Sequence, residues 1–173
     1  KKVRFASQRI ILGCPQERAQ DHPNDRIDFI QHAIGEAVRD RLIVGLSYGG
    51  LLALYHACQQ RKFDSLMVLV DAPVNPHTEV SPPNDGRFDA FRYQYTHRRD
   101  TAFRCAAVLS ELPEPELKRI ITIGTVSDDI VSPDAKHLPD IDHYELPPNI
   151  KGHRLSPEKI QAVVRIMAER LRV

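Results

Sequence analysis

The segment Gly45-Leu46-Ser47-Tyr48-Gly49-Gly50 is where residue types and spacing point most directly to chemistry. A serine hydroxyl is a weak nucleophile in a relaxed loop. On a tight turn between a strand and a helix it is lifted clear of the sheet, where a neighbouring base can take its proton. Glycines at 45 and 49 are expected to let such a turn close without side-chain collisions. The backbone N–H of Tyr48 would then point at a developing oxyanion from the start of a helix, where the dipole favours negative charge. A plain strand–helix turn that matches G-x-S-x-G by chance is the bland alternative. The flanks favour the chemical reading: Arg41 to Gly45 (R-L-I-V-G) reads as a short apolar strand, and Leu51, Leu52, Leu54, Tyr55, Ala57 and Cys58 read as an apolar helix.

Two downstream segments complete the pattern. Gly124-Thr125-Val126-Ser127-Asp128-Asp129-Ile130-Val131-Ser132-Pro133 follows an apolar strand, and Ile150-Lys151-Gly152-His153-Arg154-Leu155 lies between the last strand and a C-terminal helix. With G-L-S-Y-G-G, these segments resemble the α/β-hydrolase superfamily of esterases, lipases and thioesterases, in which the order along the chain is Ser, then Asp or Glu, then His. The resemblance runs from about Arg9 to the C-terminus. It implies Ser47 as nucleophile, His153 as general base and Asp128 as the acid that orients the imidazole. Asp129 is the alternative acid, and simple turn-capping by both aspartates is a third reading. For His153 the bland reading is a solvated loop histidine. Other histidines, such as His22, His56 and His143, read as surface or helix residues.

The implied reaction is acyl transfer to water through an acyl-enzyme, on a small-molecule ester or thioester, with no metal and no organic cofactor. One family feature has no counterpart: no His-Gly precedes Ser47 to supply a second oxyanion N–H. Residues upstream of this chain, a reduced version within residues 1–8, or a donor from elsewhere would each account for that. The alternative function is a catalytically weak or inactive α/β-hydrolase-like binding or scaffold protein.

The elements expected to position these residues alternate short apolar runs with longer amphipathic ones, the pattern of βαβ units. The expectation is a single domain over 1–173: a three-layer α/β sandwich with a mostly parallel sheet, a reduced α/β-hydrolase fold. Strands are expected at Arg9–Gly13, Arg41–Gly45, Ser65–Val70, Arg119–Gly124 and His143–Leu146. Ile27, Ile30, Ala33, Ile34, Ala37 and Val38 recur at helical spacing. A helix over Thr101–Leu109 is expected with Asp100 as its cap. Ser156-Pro157 should start the last helix, with Ile160, Val163, Val164, Met167 and Leu171 as its buried stripe. Residues 72–100 form a candidate lid or insert. There Phe88, Phe91 and Tyr95 would line an acyl pocket, and Arg92, Arg98 and Arg99 would face an acidic substrate. An amphipathic helix with a solvated basic face is the favoured reading of that arginine-rich stretch.

Bulk properties exclude several classes. The chain has 173 residues, of which 42% are hydrophobic, enough for one real core. Its 24 Lys and Arg against 23 Asp and Glu leave no basic excess for nucleic acid. Three cysteines without tight spacing suit neither a disulfide framework nor a zinc site, and Cys58 and Cys105 read as core residues of a cytoplasmic protein. There is no apolar run of the ~20 residues that span a membrane, no signal-peptide pattern, and no Walker or G-x-G-x-x-G motif. The chain opens at Lys1-Lys2 without Met, which leaves room for residues upstream.

Overall fold

The structure, a computed structural model, describes residues 42–80 and 92–170, the side chains of 92–96 excepted. The expected strand Arg9–Gly13, the helix over 27–38, Cys14, Phe88, Phe91 and Leu171 lie outside the described residues, as do the side chains of Arg92 and Tyr95.

Among the described residues, four strands form one parallel sheet in the order β1 (Leu42–Leu46), β2 (Leu66–Val70), β3 (Ile120–Gly124), β4 (Asp142–Glu145). Helices α1 (Tyr48–Gln60), α2 (Arg92–Leu109), the short α3 (Glu114–Leu117) and α4 (Pro157–Arg170) connect or follow them. Alternation along β2 shows why the sheet is covered on both faces. Met67 and Leu69 pack into one cluster with Leu51, Leu54 and Cys58 of α1 and with Ala102, Cys105 and Leu109 of α2. Val68 and Val70 pack into the other, with Ile121, Ile123 and Val163 of α4. Successive strand side chains point to opposite faces, so a run apolar at every position needs a helical layer on each side. The result is helix, sheet, helix: the three-layer arrangement.

Two elements differ from expectation. The helix expected to start at Asp100 begins at Arg92, which leaves Asp100 exposed inside α2 rather than capping it. The earlier start is anchored by Arg98, which is buried rather than solvated. Its guanidinium donates to the backbone carbonyls of Pro73, Thr78 and Asn75 and so ties the loop after β2 to α2. Burial, with the charge of Arg99 adding to it, pushes the Arg98 pKa down to about 10. Arg99 is exposed and stands over the Phe103 ring.

The buried stripe of α4 is also rotated. Ser156 caps the helix as expected, its Oγ accepting the N–H of Lys159 at 3.2 Å. Ile160 and Val164, however, are 47% and 49% exposed, while Lys159 and Val163 face inward with Ala162, Ile166 and Met167. The stripe is turned by one residue because a lysine, not an isoleucine, finds its partner under the sheet edge. Cys58 and Cys105 are buried free thiols, Cys58 Sγ lying 3.9 Å from the Cys105 carbonyl. The Cys105 thiol is held well above the usual range, first by its hydrogen bond with Cys58 and then by burial.

Candidate active site

Ser47, Tyr48, Asp128 and His153 stand at the carboxyl ends of the strands, the edge where open parallel sheets bind ligands. The register pairs Leu46 with Val70, and Val70 with Ile123. Ser47, Asp71 and Gly124, which follow these residues, therefore form one row across that edge. Asp128 follows β3 and His153 follows β4.

Ser47 occupies φ 53°, ψ −135°, between the last residue of β1 and the first of α1. A side-chain-bearing residue with such positive φ costs about 1–3 kcal/mol and persists only when its surroundings over-determine it. Here they do. The Ser47 N–H donates to Val70 O at 2.8 Å, and its carbonyl accepts from Gly50 N at 2.9 Å. A Cβ on Gly45 would lie 2.4 Å from Gly50 Cα, and one on Gly50 would lie 2.7 Å from Ala72 Cβ. The tight pair is thus Gly45 with Gly50. Gly49, expected to be the second small residue of the turn, is exposed and has open space where its Cβ would be. Tyr48 is the first residue of α1, which puts its N–H at the positive end of the helix.

Asp128 and His153 are brought together. His153 Nδ1 lies 3.0 Å from Asp128 Oδ2 and 3.2 Å from Oδ1. Oδ1 also accepts the N–H groups of Ile130 (2.9 Å) and Val131 (3.1 Å). Burial disfavours the charged carboxyl, but the His153 hydrogen bond, the two N–H groups and Lys136 outweigh it, and Asp128 is held well below the usual carboxylate range. An ionised carboxylate only accepts, so Nδ1 is the ring nitrogen that carries a proton toward Asp128, and Nε2 is the one turned away from the acid. Asp129, the alternative acid, makes a different contact: its Oδ1 accepts the backbone N–H of His153 at 3.2 Å. Among the described residues no hydrogen bond joins Ser47 Oγ to His153.

Three charged residues at this edge carried no expectation. Asp71, at φ 47° directly after β2, is fully buried and accepts from Thr125 N (2.7 Å) and Thr125 Oγ1 (2.9 Å). Lys136 Nζ lies 3.1 Å from Asp71 Oδ1, 3.0 Å from Asp128 Oδ2 and 2.7 Å from Thr125 O. Lys159 Nζ lies 2.8 Å from Asp71 Oδ2 and 2.6 Å from Gly152 O. The sequence held two faint signals for them. Asp71 ends an apolar strand just as Ser47 does, and Lys159 stands four residues before Val163 on the same helix face.

His143 is neither a surface nor a helical residue. It lies half-buried on β4, its Nδ1 2.8 Å from Thr122 Oγ1 and its ring stacked on His137 with centroids 3.6 Å apart. Burial first, then the charges of His137 and Lys136, push its pKa down to about 4. Two clusters among the described residues bring metal-type ligand atoms within 4.8 Å of one another: His137, His143 and Glu145, and Asp71, Asp128 and His153. In the second, the ammonium groups of Lys136 and Lys159 already neutralise both carboxylates. In the first, the two rings are tilted 31° to one another and His143 Nδ1 is already engaged by Thr122 Oγ1.

No family model matches the chain, and no curated protein matches it. Solved structures do. The Paleococcus ferrophilus monoacylglycerol lipase aligns with TM-score 0.54 at 11% identity, covering 88% of this chain and 76% of its own. A metagenome-derived lipolytic enzyme of the LipS and LipT study aligns with TM-score 0.55 at 15% identity, covering 90% and 74%. MGS-MChE2, an α/β-hydrolase enzyme from the metagenome of sediments of the Mar Chica lagoon in Morocco, aligns with TM-score 0.51 at 14% identity, covering 87% and 69%. Among the described residues no helix is long and apolar enough to cross a membrane. The parallel sheet, its two helical layers and these alignments together give this chain the α/β-hydrolase fold.

Proposed function

We propose that the protein is a serine hydrolase that cleaves a small carboxylic ester or thioester through an acyl-enzyme. The observation that carries this reading is the Asp128–His153 pair, with Nδ1 3.0 Å from Oδ2, at the same sheet edge as Ser47 on its strained turn. In this scheme Ser47 Oγ attacks the acyl carbon as its proton passes to His153 Nε2. Asp128 fixes the ring and stabilises the imidazolium. The Tyr48 N–H faces the oxyanion. The tetrahedral adduct collapses, the leaving oxygen or sulfur takes the proton from Nε2, and water repeats the sequence on the acyl-serine. The lipases and hydrolases among the structural neighbours support an ester-type substrate. Phe88 and Phe91 remain the pocket residues proposed from sequence.

The competing reading is a weak or inactive α/β-hydrolase-like scaffold. The absent Ser47–His153 hydrogen bond favours it, although such bonds are often loose before substrate binds. Hydrolysis of short and medium p-nitrophenyl esters by wild type and Ser47→Ala separates the two. Activity that vanishes with Ser47 is the expected result. A folded wild type that neither turns over esters nor is labelled by a fluorophosphonate would overturn it.

A further inference from the structure

Beside the Asp128–His153 pair lie one fully buried carboxylate, Asp71, and two fully buried ammonium groups, Lys136 and Lys159. Asp71, Lys136 and Lys159 are each at most 1% exposed. Asp71 accepts three hydrogen bonds, two from Thr125 and one from Lys159, and Lys136 stands beside it as an ion-pair partner. Lys136 Nζ donates to the Thr125 carbonyl and forms ion pairs with Asp71 and Asp128. Space for its stem exists because residue 124 is glycine: a Cβ there would meet Lys136 Cδ at 3.2 Å. Lys159 reaches from α4 to Asp71 and to the carbonyl of Gly152, the residue before His153. Gly152 has φ 76°, and its N–H donates to Ser127 O.

A protein that needed only stability here would do as well with apolar side chains, since buried ion pairs are weak stabilisers against a packed hydrophobic replacement. Each lysine, moreover, bears on one half of the pair, Lys136 directly and Lys159 through the residue before His153. Lys136 touches the carboxylate, and Lys159 holds the loop that carries the imidazole. We propose that Asp71, Lys136 and Lys159 are positioning residues for the Asp128–His153 pair, Lys136 fixing the acid and Lys159, through Asp71, fixing the histidine loop. The proposal rests on the hydrolase reading for its purpose, but the geometry it asserts is measurable without activity.

The charge-balanced variant Asp71→Asn/Lys159→Met tests it. The introduced asparagine keeps an acceptor toward Thr125 N and Lys136, its amide can donate to Thr125 Oγ1, and no unpaired charge is left. Lys159→Met alone leaves two buried carboxylates to share one ammonium and serves as the comparison. Three quantities are read: thermal melting, the downfield proton resonance of His153 Nδ1–H, and the rate of Ser47 labelling by a fluorophosphonate. The expected result is that the double variant regains the stability lost in Lys159→Met, while its Nδ1 proton exchanges at least about tenfold faster than in wild type and labelling slows about 10–100-fold, the scale of a sub-ångström to 1 Å misplacement. A folded double variant with the wild-type resonance overturns the proposal. Asp71→Asn/Lys159→Gln, which keeps the Lys136–Asp128 pair and leaves no buried charge without a partner, provides the same decision if the first variant does not fold. A wild type that shows the resonance but is never labelled removes the hydrolase reading and leaves the positioning result to stand or fall on the resonance alone.

Discussion

Asp128 and Asp129 are neighbours in sequence and divide one histidine between them: the first holds the His153 ring nitrogen at 3.0 Å, the second its backbone N–H at 3.2 Å. Substituting each by asparagine should therefore give unequal results. Asp128→Asn presents an amide that permits the wrong tautomer, and kcat should fall by about 10⁴-fold, as for a triad acid. Asp129→Asn keeps a carbonyl that can accept the same N–H, and most activity should remain. Parallel ester-hydrolysis kinetics check this. Equal losses would mean that the ring contact is not what matters.

The two glycines after Ser47 should respond with opposite signs. Gly50→Ala forces a methyl to 2.7 Å from Ala72 Cβ and 2.9 Å from the Gly45 carbonyl, both within the packed sheet edge. Overpacking of that kind costs about 1–3 kcal/mol. Gly49→Ala has open space and sits in the first turn of α1, where replacing glycine should stabilise by about 0.5–1 kcal/mol. Urea denaturation of the two variants provides the comparison.

Arg98 and Arg99 are likewise adjacent and should behave differently. Arg98→Met leaves the carbonyls of Pro73, Asn75 and Thr78 without their donor, and hydrogen bonds to a charged group contribute about 1.5–3 kcal/mol. The loss should appear as lowered stability and as faster proteolysis near residues 73–78. Arg99→Ala, at an exposed position, should lie within about 0.5 kcal/mol of wild type.

What the sequence made legible followed from periodicity and from one strong motif. Apolar runs placed β2 and β3 within a residue, since a strand buried on both faces has little else it can be, and the more exposed β1 and β4 were placed as closely. The turn around Ser47 was legible because strand, small residues and helix had to coincide there. Asp128 and His153 were legible through their order along the chain. Lys136, Lys159 and Asp71 were not, because a lone lysine or aspartate reads as solvated surface, and only three-dimensional pairing makes its burial tolerable. The same blindness shifted the expected stripe of α4 onto Ile160 and Val164 and assigned Arg98 to a solvated face. Charged residues carry no periodic signature when they are buried with partners distant in sequence.

His143 makes stability depend on pH in a definite direction. Its pKa falls from 6.5 to about 4 in the folded protein, through burial first and the nearby charges of His137 and Lys136 second, with Asp71 opposing. A depressed histidine pKa means that the unfolded chain binds the proton more readily than the native one. Its contribution is therefore complete above about 6.5 and is lost as pH falls toward 4, where the native ring also protonates. Melting temperatures of wild type should fall across that window. In His143→Gln, whose amide can still meet Thr122 Oγ1, the fall should be shallower, because the residue no longer titrates. Asp128 also favours the native state less in acid, its contribution being lost as pH falls through the unfolded value of 3.8 and below, but both proteins carry it, so the difference between them between pH 6.5 and 4 isolates the histidine. Identical slopes would mean that the ring gains a proton in the folded state as easily as in the unfolded one, which is incompatible with its burial against Gly124 and the stack with His137.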